Sequence, residues 1–372
     1  MSNEGLLRDR LQAHATERPE AIAFSYLPGG EGPSLDLSFA QLDIQARQLA
    51  AELQPRHVAQ ARAILLLPTG LNFVAALMGC VYSNLIAIPV PAEFQDSERL
   101  KRRLPRLLAI AQDAQASLVL YDQHTAAYRE HLLELAPALG QLQWVRFDQV
   151  LAGPVAADSS LRPIVTTDLI FLQYSSGSTG QPKGVMVSHG NLMHNLQQIQ
   201  QAFGHDPASV GVSWLPAYHD LGLVADIFEP LFTGHREILI SPFDFIQQPL
   251  CWLQAISRYQ ATTSGAPNFA YALCTRKAKP QALQGLDLSQ WKLAYNCAEP
   301  VSAAVMKDFE TCFAACGFDP KAWMPFLGMA EATLMVSAGH RSQVPRPLSL
   351  SRQALQAGRV AKADKDVNQV LV

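Results

Sequence analysis

The chain has 372 residues, 49% hydrophobic and 16% charged, the balance of a globular protein that is mostly core. Its 29 basic against 32 acidic side chains argue against a nucleic-acid-binding surface, and no uninterrupted apolar run reaches the roughly 18 residues of a membrane span. The first ten residues lack the apolar segment of a signal peptide, so the expected compartment is cytoplasmic. Six cysteines show no CxxC pair or other metal spacing. They read as buried thiols, Cys312 and Cys316 included, although those two share a helix face.

Short β-branched runs alternate with amphipathic stretches, the pattern of parallel sheets covered by helices. The spacing predicts a helix over 37–53, a strand over 63–67, a helix over 71–83 and a strand over 87–90. An Arg-rich helix over 98–114 and a strand over 117–121 follow. The Pro/Gly/Ser-rich stretch 153–163 separates two lobes, giving a first αβα lobe over 1–165 and a second over 166–372. The second opens with strands at 170–174 and 185–187 and a helix over 191–203. Strands near 211–215, 237–240 and 292–296 follow, with helices at 249–259 and 303–316 between them. No internal repeat or low-complexity segment is found.

Between the strands at 170–174 and 185–187 the chain packs glycines, hydroxyls and one lysine into a hairpin tip. That composition suits a nucleotide triphosphate: glycines let the backbone approach, N–H groups and hydroxyls bond phosphate oxygens, and Lys183 adds a point charge. It is not the P-loop of kinases and GTPases. Five positions after Gly177 comes Pro182 where glycine is required, and no Ser or Thr follows Lys183.

The run Ser175-Ser176-Gly177-Ser178-Thr179-Gly180-Gln181-Pro182-Lys183-Gly184 resembles the phosphate-binding signature of the adenylate-forming enzymes. Ser213-Trp-Leu-Pro-Ala-Tyr-His-Asp-Leu-Gly-Leu223 and Gly265-Ala-Pro-Asn-Phe-Ala-Tyr-Ala-Leu-Cys274 are similar to segments of its fatty acyl-AMP ligase branch. Asn296-Cys-Ala-Glu-Pro-Val301 and Gly328-Met-Ala-Glu-Ala-Thr-Leu334 complete the set, in family order. The resemblance implies an α/β fold of two doubly wound αβα lobes with part of a β-rich third element. It also implies ATP and Mg2+ as cofactors and a fatty acid as substrate. The reaction would be attack of a fatty carboxylate on the α-phosphorus, expelling pyrophosphate. A carboxylic acid is already ionised at neutral pH, so no general base is needed and none of the Ser-His-Asp kind is expected. The difficulty is electrostatic, an anion approaching a polyanion.

On this resemblance Ser175, Ser176, Gly177, Ser178, Thr179, Gly180 and Lys183 match the phosphate loop. Thr179 and Glu331 match the Mg2+ partners, and Thr333 the residue at the α-phosphate. Asn296, Cys297, Ala298 and Glu299 match the adenine pocket, together with Leu327, Gly328, Met329 and Ala330. Lys183, Glu331, Thr179 and His219 are the expected catalytic set. His219 and Asp220 match the motif between the pyrophosphate side and an acyl tunnel, to which Leu221, Leu223, Ile227, Phe228, Leu231 and Phe269 are assigned. A His-Asp pair after a strand also reads as a local cap, and the apolar residues as plain core.

Three departures stand out. Leu327 stands where the family has the tyrosine that stacks on adenine, worth roughly 1 kcal/mol of aromatic contact. Cys297 replaces a glycine, and Ala225-Asp226 a Gly-Gly pair. The segment 338–372, in which Ser351 is placed to N-cap a short helix ending before Gly358, resembles the insertion that marks fatty acyl-AMP ligases. The implied acceptor is an acyl carrier protein, or a downstream polyketide or peptide synthase module. An acyl-CoA synthetase and a non-catalytic adenylate-binding domain are the alternatives. The family continues with a ribose-binding Asp and a C-terminal lid bearing a second lysine, so the chain reads as a fragment of the N-terminal domain.

Overall fold

The computed structural model describes residues 5–92, 97–153, 160–175, 182–348 and 350–362. Its strands, in chain order, are β1 (Ile22–Tyr26), β2 (Leu35–Ser38), β3 (Arg62–Leu66), β4 (Ile86–Pro89) and β5 (Leu118–Tyr121). Next come β6 (Gln143–Arg146), β7 (Leu169–Ser175), β8 (Lys183–Ser188), β9 (Val210–Ser213) and β10 (Arg236–Leu239). The last four are β11 (Thr263–Ala266), β12 (Leu293–Asn296), β13 (Trp323–Gly328) and β14 (Met335–Ala338).

Two sheets result. One runs β6-β5-β3-β4-β7-β8, the other β14-β13-β12-β11-β9-β10-β1-β2. Pairing is parallel throughout except at the outer pairs β7–β8, β1–β2 and β13–β14. Strands β4 and β5 are buried at every residue, as parallel strands covered on both faces must be. That burial is why they show continuous apolar runs in the sequence rather than alternation.

The sheets exchange segments along the chain. β1 pairs with β10 and so joins the second sheet, while β7 and β8 close the first. A division of the chain at residue 165 therefore does not coincide with the division between sheets. The helix expected over 37–53 also begins later. Leu37 and Ser38 end β2, and Ser38 caps the helix Phe39–Leu53 in a reciprocal box: Gln41 N–H donates to Ser38 Oγ at 3.2 Å, and Ser38 N–H to Gln41 Oε1 at 2.9 Å. Part of the separating stretch, residues 154–159, lies outside the described residues. Ser351 does cap the short helix Arg352–Gln356, and Gly358 follows in the left-handed conformation at φ 69°.

The start of β7 is tied to the first sheet by side-chain amides. Gln60 Oε1 accepts from Leu169 N–H at 2.8 Å, and Gln60 Nε2 donates to Leu169 O at 3.0 Å and to Asn84 Oδ1 at 2.8 Å. Asn84 Nδ2 in turn donates to Pro163 O at 3.1 Å and Asp168 Oδ2 at 3.0 Å. These bonds fix where the β7–β8 hairpin enters the sheet. We expect Gln60→Ala to cost about 1–3 kcal/mol, because it strands partly buried backbone and amide groups. Urea unfolding with an unchanged m-value and a lowered midpoint would show it.

Candidate active site

A cleft of about 290 Å³ opens where strands of both sheets end. Pro89 and Pro91 stand at and beyond the end of β4, and Gln173, Tyr174 and Ser175 close β7. Tyr218, His219 and Asp220 follow β9, Ala330 follows β13, and Arg106 enters from the helix Ser97–Asp113. In open parallel sheets ligands lie outside the carboxyl ends of the strands, because the loops there converge. Two hydrogen bonds hold the sheets together at this point. Gln173 Nε2 donates to Tyr218 O at 2.9 Å, and Ala217 N–H donates to Thr69 Oγ1 at 3.1 Å.

The hairpin expected around the Gly/Ser run is present: β7 and β8 pair antiparallel, with Ser175 opposite Lys183 at its open end. Lys183 is exposed and Ser175 half-buried. Ser176, Gly177, Ser178, Thr179 and Gly180 lie outside the described residues. Tyr174 clamps the hairpin to the neighbouring helix, its hydroxyl donating to Asp113 Oδ2 at 2.6 Å. Arg106 Nη2 donates to Tyr174 O at 3.3 Å from the same helix.

His219 and Asp220 form both a pair and a cap. Their Nδ1 and Oδ1 are 2.7 Å apart, and Asp220 Oδ1 also accepts from Leu221 N–H at 2.8 Å. The hydrogen bond to Asp220 raises the imidazole above its ordinary range, against the opposing effect of burial. A wide-turned helix, Leu221–Phe228, begins here, and its end shows i→i+5 bonding from Glu229 N–H to Val224 O. Such turns favour functional sites. A Cβ on Gly222 would stand 2.4 Å from Pro216 O, so only glycine lets the helix approach the preceding loop so closely.

The residues assigned to a tunnel divide. Leu221, Leu223, Ile227, Phe228 and Leu231 belong to the main hydrophobic core, each at most 2% exposed. Phe228 stacks on Phe171 with centroids 5.6 Å apart. Phe269 is exposed, edge-on to Trp214 at 5.8 Å. Asp220 stands in the cleft.

The remaining motifs leave adjacent strands at one edge, since Ala266 pairs with Asn296 and Asn296 with Pro325. Asn268 is their knot. Its Oδ1 accepts from Asn296 Nδ2 at 3.0 Å and Ser302 N–H at 2.9 Å, and its Nδ2 donates to Pro300 O at 2.8 Å. Asn296 and Cys297 are buried, and burial pushes the Cys297 thiol well up. Ala298 and Glu299 are exposed, and Glu299 Oε1 accepts from Phe269 N–H at 3.1 Å. Leu327, Met329 and Glu331 are exposed as well, whereas Ala330 and Thr333 are buried and Gly328 intermediate. Ala298 and Thr333 hold positive φ, 67° and 71°. For a β-branched residue that conformation costs about 1–3 kcal/mol and tends to mark ligand clamps.

The cleft thus brings Ser175, His219, Asp220 and Ala330 together. Sequence reasoning missed Arg106 and Gln173, whose Oε1 is buried without a partner. The arginine density of the helix over 98–114 was the available signal for the first. We expect Asp220→Asn to lower the pKa of His219 in an NMR titration. The pair stabilises the fold fully below the ordinary histidine pKa near 6.5 and loses that contribution as pH rises through His219's own higher value. The pH-dependent part of the stability difference between wild type and variant should therefore disappear at alkaline pH.

Residues 11–362 match the family model described as AMP-binding enzyme. The chain is 41% identical over 357 residues to the medium-chain fatty acid–acyl-carrier-protein ligase JamA of Moorena producens (strain JHB), covering 95% of this chain and 60% of that protein. It is 33% identical over 405 residues to the ligase of the same description, TtuA, of Teredinibacter turnerae (strain ATCC 39867 / T7901), with 99% and 62% covered. It superposes on the crystal structure of a fatty acyl-adenylate ligase from L. pneumophila, solved with acyl adenylate and pyrophosphate, at TM-score 0.83. That alignment has 34% identity and covers 96% of this chain and 61% of that one. The chain therefore spans about three fifths of the length of the relatives it matches. On the family match across nearly its whole length, the chain belongs to the AMP-binding enzymes.

Proposed function

We propose that the complete protein is an ATP-dependent ligase that activates a fatty acid as its acyl-adenylate and passes the acyl group to the phosphopantetheine thiol of an acyl carrier protein. The observation that carries this reading is the meeting of Ser175, His219, Asp220 and Ala330, from motifs on both sheets, in one cleft, on a chain 41% identical over 357 residues, 95% of its length, to a fatty acid–carrier-protein ligase. In the first step a carboxylate oxygen attacks the α-phosphorus, the α–β anhydride bond breaks, and its electron pair leaves with pyrophosphate. In the second the thiol attacks the acyl carbonyl and AMP departs.

The residues present suit a nucleotide. Exposed Lys183, at the hairpin exit, is free to follow phosphate charge as it moves to the leaving group. Exposed Glu331, with Thr179, is a hard oxygen donor set for Mg2+, which when bound neutralises phosphate charge. Buried Thr333, held at φ 71° and ψ −58°, is the residue we assign to the α-phosphate. Ser175 to Gly180 are assigned to the phosphates by their match to the family's loop, and the segments from Asn296 to Glu299 and from Leu327 to Ala330 to the adenine. Leu327, 59% exposed, offers the base an aliphatic face instead of an aromatic one. His219, held by Asp220, stands between the phosphate side and the acyl side.

On the complete gene product, Lys183→Ala and Glu331→Ala should each reduce fatty-acid-dependent ATP–pyrophosphate exchange about 10²-fold or more without changing the melting temperature. Wild-type exchange in either variant would remove that residue from the mechanism. Acceptor use checks the second step. Loading of a holo acyl carrier protein with little acyl-CoA is expected, and efficient acyl-CoA formation without carrier loading would overturn the carrier reading.

A further inference from the structure

A second polar cluster lies away from the cleft, in the core beside the wide-turned helix, and plays no part in the chemistry above. It contains His205, Asp226, Glu229, His235 and Glu237, each at most 8% exposed. His205 Nδ1 is 3.0 Å from Glu229 Oε1, and His235 Nδ1 is 3.7 Å from Glu229 Oε2. His235 Nε2 is 3.6 Å from Glu237 Oε2. A void of about 10 Å³, room for a single water-sized sphere, is lined by His205, Asp226, His235 and Glu237.

The backbone is arranged to make this cluster. His205 follows Gly204, the left-handed cap of the helix His189–Phe203. Glu229 and His235 bracket a short helix ended by the left-handed Gly234, and Thr233 Oγ1 fixes the His235 ring at 2.6 Å from Nδ1. A Cβ on Gly211 would stand 1.7 Å from Glu237 Oε2, so glycine on β9 is what admits that carboxylate.

Burying three carboxylates is costly unless they are neutralised. The ion pairs described for Glu229 and Glu237 run to histidines. Asp226 has hydroxyl donors, Ser213 at 2.7 Å and Tyr295 at 2.6 Å, and burial still lifts it to about 7. Glu237 is driven well above the carboxylate range by burial and by Asp226 and Glu229, while burial drives His235 well down. Even so, His205 Nε2 and Glu229 Oε2 are buried without a hydrogen-bond partner. Donor atoms from His205, Glu229 and His235 all lie within 4.8 Å of one another. Two imidazoles and a carboxylate are a donor set for a borderline divalent ion.

We propose that His205, Glu229 and His235, with Glu237 beside them, bind one Zn2+-class divalent ion as a structural site. A tetrahedral shell with bonds of about 2.0–2.2 Å spaces its donors roughly 3.3–3.6 Å apart, so side-chain rotations of about an ångström close it. Binding to a site that exists only in the folded chain couples the ion to folding.

The test uses the 372-residue chain, with Zn2+ and Co2+ as probes. About one zinc per chain should survive dialysis, and a chelator should lower the melting temperature until Zn2+ alone restores it. Glu229→Gln and His235→Gln should each weaken zinc binding at least about tenfold, and Cys312→Ser should not. Bound Co2+ should show d–d absorption without thiolate charge transfer. Absence of uptake at micromolar Zn2+, or equal uptake in both cluster variants, would overturn the site. Should the variants fail to fold, anomalous diffraction at the zinc edge of the wild type decides, since a peak elsewhere, or none, overturns it equally.

Discussion

Parallel pairing is the constraint on which the rest of this molecule depends. Because strands β3 to β7 and β9 to β13 point the same way within their sheets, their carboxyl ends form two edges, and the edges meet at one crevice. A buried parallel strand needs apolar residues on both faces, so chemistry is displaced to the loops beyond its end. The motifs of the chain accordingly straddle strand ends: Ser175 closes β7, His219 lies in the turn after β9, and Cys297 follows Asn296, the last residue of β12. The sheets supply rigidity and the loops supply function.

The crevice is held by small polar knots rather than by large surfaces. Gln173 and Thr69 bridge the sheets with one bond each, and Asn268 gathers three partners, one from the end of β12 and two from the segment after it. A side-chain amide both donates and accepts, so one residue can fix two backbones at once. The apolar wall behind these knots is ordinary close-packed core. Burial of Leu221, Leu223, Ile227, Phe228 and Leu231 serves the position of the wide-turned helix whether or not any of them also meets an acyl chain.

Much of this was legible in the residues. Hairpin strands flanking the Gly/Ser run, the Ser351 cap and most helices follow from local periodicity and capping chemistry, which depend on near neighbours. What escaped depends on distant ones. That β1 pairs with β10, two hundred residues on, leaves no mark in a five-residue strand. The start of the helix at Phe39 was blurred because Leu37 suits either a strand face or a helix face. The buried His/Glu cluster is spread over 205–237 with no metal-motif spacing, and its members are brought together by two left-handed glycines and a turn. Arg106 gave only a compositional hint, because which arginine of a basic helix faces a cleft is decided by packing.

The exchange of strands between sheets has a consequence for how the chain is made. During vectorial synthesis β1 and β2 emerge early, yet the neighbour that completes β1 is β10, so this hairpin must wait through the whole of the first sheet. The first sheet waits in turn for β7, whose entry is latched by Gln60 across 109 residues. The first sheet can close once β8 has emerged at Ser188, whereas the second stays incomplete until β14 ends at Ala338. Such high contact order favours slow, concerted assembly, with unpaired strand edges exposed meanwhile. The architecture that aligns the crevice so firmly in the finished protein therefore leaves the β1–β2 hairpin without its β10 neighbour for most of synthesis.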